Sequence, residues 1–498
     1  MVNNFLKNNL AILFGNVFFK IGGYIYKFLM VYLLNNYAYG ILTIISPFQN
    51  ILQTLAAGGL PPTISKNVSE YNATNQKENS YKLILVSIKI AILLGITFGL
   101  LMIFFIAPLL VKIYNNNSLL LPLQIIGLIV PFSAIVGVFR GIFQGTYEMA
   151  HILTSRAIEQ ITMILSAIVL IILGFSVVGA IFGSVIGFFS SLISVIIILH
   201  KYFLDIFQGM LKLKMDFKEE IKIAYKIISF SIPVILTAIS EIGIYSMTTT
   251  IMPLFITISE IGYFGIAEPI ARLPLMISNS LATTILPVTS EMFASKNTNI
   301  LKKYMFNALR YNLIIMVPIC LFIMIFSKEV LLVMFFTKPF YSKGANVLTI
   351  LTLGMFFYSI FAITSSMIQG AGKPKSSMYL LIGGFIQILL LSFIFIPYFG
   401  VNGGAISTTL TTATMTLISL IYLNKHISLK FNMIHYLKIL FAGIIIAIFL
   451  LILPKNLIGF YIGLLFLFPI YLITLMIIKG FTADDLNILM KIENKRLP

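Results

Sequence analysis

Residues 83–113 read LILVSIKIAILLGITFGLLMIFFIAPLLVKI, an apolar run interrupted only by the charges of Lys89 and Lys112. A helix rises about 1.5 Å per residue, so a run this long exceeds the roughly 30 Å of a hydrocarbon core. Its apolar residues are consecutive and do not alternate with polar ones, which excludes the strands of a membrane barrel. With no water to satisfy its backbone, the segment must bond its peptide groups internally and cross as a helix.

The same pattern recurs on both sides. Seven runs fall at 10–34, 39–60, 83–113, 119–142, 152–173, 177–199 and 227–252, and seven more at 261–286, 311–335, 347–367, 378–399, 405–423, 439–453 and 457–478, about 14 in all. Composition agrees: the chain is 59% hydrophobic and 10% charged, with a mean hydropathy of +1.02, values no water-soluble domain of 498 residues tolerates. The expectation is an all-α polytopic membrane protein. Its first run is too long for a signal-peptide core and reads as a retained helix.

Lysine and arginine sort by side. With the N-terminus inside, the inner loops hold Lys66, Lys77, Lys82, Arg140, Lys201, Lys212, Lys214, Lys218, Lys222, Lys296, Lys302, Lys303, Lys373, Lys375, Lys425 and Lys430. The outer loops receive Lys112, Lys328, Lys338, Lys343 and Lys455. The positive-inside bias therefore places both termini in the cytoplasm. The net charge of +18 is largely this signal plus attraction to anionic membrane lipids, and it does not indicate nucleic acid.

Shifting the chain by 225 residues aligns Gly40 with Gly265, Pro62 with Pro287, Ser65 with Ser290, Gln144 with Gln369, Gly145 with Gly370 and Gly179 with Gly404. One ungapped register holds for all six pairs, the mark of a duplicated unit. The expected organisation is a six-helix lobe at 1–200, an amphipathic cytoplasmic connector at 201–225, a second six-helix lobe at 226–425, and helices 13 and 14 with a cytoplasmic tail at 426–498. An even number of crossings per repeat makes the lobes parallel, as in transporters whose repeats flank a substrate path.

Enzymatic chemistry finds no foothold. Asp205 and Asp216 are isolated on the connector, Asp484 and Asp485 lie in the tail, and no nucleotide loop, Ser/His/Asp set or paired carboxylate is present. Cys320 stands alone in an apolar run and reads as a small core side chain. His151, His200, His426 and His435 have no ligand spacing, so neither metal nor cofactor is expected.

Function then falls to charges that cannot reach a membrane surface. Lys20 and Lys27, seven residues apart on helix 1 with Tyr24 between them, share one helical face. Helix 8 carries Glu268 and Arg272 at i and i+4, a spacing that allows mutual neutralisation, with Pro269 and Pro274 loosening its backbone. Glu241, with no cation within one turn of helix 7, reads as a lone acid able to carry a proton or relay charge. Glu159 and Arg156 read as a local pair on helix 5, and Lys89 and Arg310 as snorkelling side chains.

Two segments carry a resemblance: Gly59, Leu60, Pro61, Pro62, Thr63, Ile64, Ser65, Lys66 after helix 2, and Phe139, Arg140, Gly141, Ile142, Phe143, Gln144, Gly145 after helix 4. They resemble the signature stretches of the polysaccharide transport family, in the superfamily shared with multidrug and toxic compound extruders and bacterial lipid II flippases. Echoes recur at Leu286, Pro287, Val288, Thr289, Ser290 and at Gln369, Gly370, Ala371, Gly372, Lys373, Pro374. The sporulation and oligosaccharide flippase branches are the nearer ones, because drug extruders often carry an acid on helix 1 where this chain has lysines.

The resemblance implies two lobes in a V shape that expose a central cavity alternately to each leaflet. The implied cargo is a lipid-linked oligosaccharide, moved outward across the plasma membrane by a monomer that works beside a glycan polymerase or ligase. Lys20, Lys27, Tyr24 and Arg272 are the expected headgroup contacts, since fixed cations offset the dehydration of a phosphate. Glu241 and Glu268 are the expected coupling groups for Na+ or H+. The signature residues Pro62, Ser65, Arg140, Gln144, Gly145, Pro287, Gln369 and Gly370 are expected to act as hinges and packing points. The alternative is a cation-coupled drug or small-molecule exporter of the same fold.

Overall fold

The computed structural model describes residues 2–57, 59–204, 206, 208–209, 215–295, 298–427 and 433–480, and every regular element among them is helical. The first half comprises α1 (Val2–Leu33), α2 (Asn36–Ala57), α3 (Leu60–Ala73), α4 (Lys77–Leu101), α5 (Ala107–Tyr114), α6 (Leu120–Gly145), α7 (Met149–Leu170), α8 (Ser176–Tyr202) and α9 (Phe217–Ile251). The second comprises α10 (Ile258–Arg272), α11 (Leu275–Ala294), α12 (Thr298–Ile325), α13 (Ser327–Met334), α14 (Ala345–Gly370), α15 (Pro374–Ile427), α16 (Met433–Ile452) and α17 (Leu457–Ile477). The fourteen apolar runs fall on these helices.

The stretch 83–113 becomes α4, a π-helical turn at Met102–Ile106, and α5. Its Leu93, Phe104 and Phe105 are 66%, 65% and 68% exposed, a surface suited to lipid and not to water. Among the described residues, 9 helical stretches are long and apolar enough to cross a membrane. Two of them, Met149–Tyr202 and Pro374–His426, run to 54 and 53 residues, more than twice the ~20 that one crossing needs. Each folds back on itself. The chain reverses at Gly174 (φ 95°) and at Gly400 (φ 57°), left-handed conformations that glycine adopts without a Cβ penalty. Across the second bend the Thr414 hydroxyl donates to Gln387 Oε1 at 2.7 Å, so α15 is an antiparallel hairpin. The protein is an all-α polytopic membrane protein.

The chain divides into two compact units, Met1–Gly265 and Ile266–Pro498. In the first, α6 is the central helix, surrounded by α2, α3, α4 and α8; α1 packs on α7, and α9 lies along α2, α3 and α4. In the second, α14 occupies the corresponding place among α11, α12 and α15, over a core that includes Ile285, Met305, Ile363, Met367 and Leu423. The pair α16 and α17 leans on α12. The two central helices obey the repeat end to end: Leu120 plus 225 is Ala345, and Gly145 plus 225 is Gly370.

The signature glycines sit where helices cross. A Cβ on Gly145 would lie 2.9 Å from the Ser65 carbonyl oxygen and from Val68 Cβ of α3. One on Gly370 would lie 2.7 Å from Thr289 Cβ and 2.8 Å from the Leu286 carbonyl oxygen of α11. Equivalent positions thus allow equivalent close approaches. Gly40, aligned with Gly265, belongs to the crossing of α2 with the start of α10: a Cβ on Gly40 would collide with the Ile258 carbonyl, and one on Gly265 with Thr43.

Three local differences from the sequence reading have clear causes. The segment 59–66 is the start of a separate short helix, α3, because Gly59 (φ 64°) breaks the chain after α2 and Pro61 and Pro62 then open the new helix. The segment 139–145 forms the last two turns of α6 and does not follow it. Helix 7 begins at Phe217 and incorporates Lys218 and Lys222, because Glu219 and Glu220 complement its first turn and bond Lys82 and Lys89 at 2.8 Å each. Asp205, Lys212 and Lys214 of the connector, and Lys296, Lys430, Asp484 and Asp485, lie outside the described residues.

Candidate functional site

Helix α1 has a packed face and a cationic one. Gln160 Nε2 of α7 donates to the Phe19 carbonyl at 3.2 Å, the Gln160 side chain fills the space beside Gly22, and the Tyr26 hydroxyl donates to the Ala180 carbonyl of α8 at 3.2 Å. At about 100° per residue, Lys20, Tyr24 and Lys27 cluster roughly 120° round from those anchors. Lys20 is exposed, while Tyr24 and Lys27 are half-buried, with the Tyr24 ring stacked on Phe28 at 6.4 Å.

Glu241 is not electrostatically alone. Lys20 of α1 lies within electrostatic range of it, a proximity invisible in sequence because the two residues belong to helices 1 and 7. The first unit therefore places an acid near one end of a two-lysine stripe. That balance leaves the stripe positive, the state a phosphate-bearing ligand needs inside a membrane.

In the second unit, Glu268 and Arg272 do pair, guanidinium to carboxylate, with side chains 11% and 18% exposed. Arg272 ends α10, where a cation complements the helix dipole, and the chain breaks at Leu273 before Pro274 caps α11. The predicted helix 8 is thus two helices. Discontinuous helices in transporters expose backbone groups that ligands can use.

Glu159 has a partner beyond the one its sequence neighbourhood suggests. Arg140 Nη2 bonds Glu159 Oε2 at 2.6 Å and Ser191 Oγ at 3.1 Å, while Arg140 Nε bonds Ser155 Oγ at 3.1 Å. This network ties α6 to α7 and α8, so Arg140 locks three helices together. Arg156 lies within electrostatic range of both Arg140 and Glu159. Arg310 does not snorkel: it is fully buried and donates to the Gly480 carbonyl at 2.9 Å, clamping α12 to the end of α17. Lys89 is held by Glu220 at 2.8 Å.

The remaining signature residues lie on α3, α6, α11 and α14. Pro62 is exposed in the first turn of α3 beside half-buried Ser65, Gln144 is exposed on α6, and Pro287 is exposed within α11. Gln369 Nε2 bonds Ser365 Oγ at 3.3 Å and Ser377 Oγ at 3.1 Å. Since Arg140 plus 225 is Ser365, the second unit fills the place of an arginine ion pair with neutral hydroxyls. A buried chain that sequence reading did not single out joins Ser278, Asn312 and Ser359: the Ser278 hydroxyl bonds Asn312 Oδ1 at 2.6 Å, and Asn312 Nδ2 bonds Ser359 at 3.1 Å. Spacing carries no signal for it, because its members sit on three helices. Among the described residues, no group of three or more His, Cys, Asp or Glu could hold a metal ion.

A polytopic helical fold built on two repeat-related central helices, with charges placed inside its spans, defines a membrane transporter architecture. The chain belongs to the polysaccharide biosynthesis protein family, whose model matches residues 5–293; the MatE model matches residues 233–394. It is 24% identical over 480 residues to stage V sporulation protein B of Bacillus subtilis, covering 92% of this chain and 90% of that one. It is also 24% identical over 243 residues to the probable low-salt glycan biosynthesis flippase Agl15 of Haloferax volcanii, covering 47% and 51%. Among solved structures, the lipid II flippase MurJ in an inward closed conformation superposes with a TM-score of 0.71 at 18% identity, covering 93% of this chain and 98% of that one.

Proposed function

We propose that this protein is a flippase that carries a lipid-linked oligosaccharide, joined to its polyprenyl or dolichyl tail through phosphate or pyrophosphate, from the inner to the outer leaflet of the plasma membrane by alternating access. The observation that carries this reading is the Lys20, Tyr24 and Lys27 face of α1, turned away from its packing contacts on α7 and α8. A phosphate entering a low-dielectric cavity loses its hydration, and fixed ammonium groups offset part of that loss. The lipid tail stays in the bilayer throughout. Glu241, within electrostatic range of Lys20, is suited to offset part of the site's positive charge between substrates or to exchange a coupling cation. The family and the named functions of the relatives support the same direction.

The lysine distribution supports a cytoplasmic position for both termini. The second reading, a cation-coupled exporter, is favoured by the MatE match over residues 233–394, the part of the chain that contains Glu241 and Glu268. Reconstitution separates the two. Proteoliposomes holding the purified protein should translocate a polyprenyl-phosphate glycan and leave a cationic dye where it was loaded; dye movement without glycan movement overturns the flippase reading.

A further inference from the structure

At the lysine-rich end of the first unit, a cavity of about 320 Å³ opens where the turn between α3 and α4 meets the end of α8. Asn72, Lys77, Ser80, Tyr81, Lys201 and Tyr202 line it. Lys77 and Lys201 bring two positive charges. Of the described acids nearby, Glu78 and Glu219 both bond Lys82, at 2.9 and 2.8 Å. Lys77 also opens α4, a 25-residue helix whose first-turn N–H groups have no intrahelical acceptors and carry the positive end of the helix dipole.

A second observation points to a ligand. Ser80 is 2% exposed, yet it lines the cavity, and its hydroxyl bonds no other described residue. A hydroxyl in the cavity wall that no described residue engages is free to bond a group held there. Tyr81 and Tyr202 add phenol donors, with the Lys201 ammonium 5.3 Å from the Tyr202 ring centroid. Ammonium, hydroxyl, amide and phenol donors converging on one small space suit an oxyanion with several acceptor oxygens. Tyrosines beside lysines are also what the headgroup depth of a membrane selects.

We propose that this pocket binds a phosphate group, presented either by an anionic membrane lipid or by a soluble phosphate. The site shares no residue with α1, α9 or α10 and stands independently of the transport reading. The test measures binding to the purified full-length protein in nonionic detergent with three probes: dioctanoyl phosphatidylglycerol, inorganic phosphate, and dioctanoylglycerol, which lacks the phosphate.

Saturable binding of the first or second probe, with none of the third, is expected. A response to the lipid alone assigns a membrane headgroup, and one to inorganic phosphate alone assigns a soluble anion. The double substitution Lys77→Gln with Lys201→Gln should weaken binding about tenfold or more, Ser80→Ala by a smaller factor, and Lys375→Gln, a lysine of the second unit, not at all. Both pocket lysines are exposed, so their removal leaves folding intact. Absence of binding by both phosphate probes, or an equal loss in Lys375→Gln, overturns the proposal.

Discussion

Lys20 and Arg140 are both cations of the first unit, and their surroundings give them opposite expected phenotypes. Arg140 is hydrogen-bonded to Glu159, Ser155 and Ser191, and the ion-paired side chains are only 16% and 19% exposed. Arg140→Ala takes from Glu159 its hydrogen-bonded partner, and breaking a largely buried pair costs about 3–5 kcal/mol. The thermal midpoint in detergent should fall clearly, and adding Glu159→Gln should restore part of it; an unchanged midpoint removes Arg140 from its clamping role. Lys20 is exposed and makes no such network, so Lys20→Ala should leave the midpoint nearly unaltered, within about 0.5 kcal/mol, while abolishing glycan transport. Arg272→Ala should also abolish transport. If both variants transport at the wild-type rate, the cationic-site mechanism is wrong. The residue types were legible in sequence, since charges inside apolar runs stand out. Partners on other helices were not: beside Arg156, three residues away, Glu159 also bonds Arg140 on another helix.

Helix positions followed from hydropathy, but helix breaks depended on backbone geometry. The run at 261–286 reads as one span, and the structure divides it at Leu273 because Pro274 cannot extend α10. The runs at 152–173 and 177–199 form one hairpin around Gly174, whose φ of 95° is open to glycine at little cost. Close crossings give the clearest test at this scale. Gly145→Leu pushes a side chain into the Ser65 carbonyl, and overpacking of this kind costs about 1–3 kcal/mol, so the yield of folded protein should drop. Gly370→Leu should do the same at the equivalent crossing. Gly23 has no atom within 4 Å of its would-be Cβ, so Gly23→Ala should be tolerated or mildly stabilising, by up to about 1 kcal/mol. Equal yields for all three variants would show that these glycines do not set the crossings.

For the molecule as a whole, the 225-residue shift aligns the central helices of the two units but not the charges around them. The central helices α6 and α14 coincide under the 225-residue shift, whereas Lys20 falls opposite Tyr245, Arg272 opposite Pro47, and Arg140 opposite Ser365. Transport that depends on a titrating acid should show this asymmetry. Glu241→Gln should flatten the pH dependence of glycan translocation in proteoliposomes, and an unchanged profile would clear Glu241 of a coupling role. The sequence by itself determined the membrane class and the approximate number of helices, because hydrophobic matching to a bilayer is set by consecutive residues along one chain segment. Only the tertiary structure decided that Lys20 comes within electrostatic range of Glu241, that Arg140 holds Glu159, and that Arg310 is buried against the end of α17. Those pairings join helices remote in sequence, and a charge in hydrocarbon settles on whatever counter-group packing brings near, which no local pattern records.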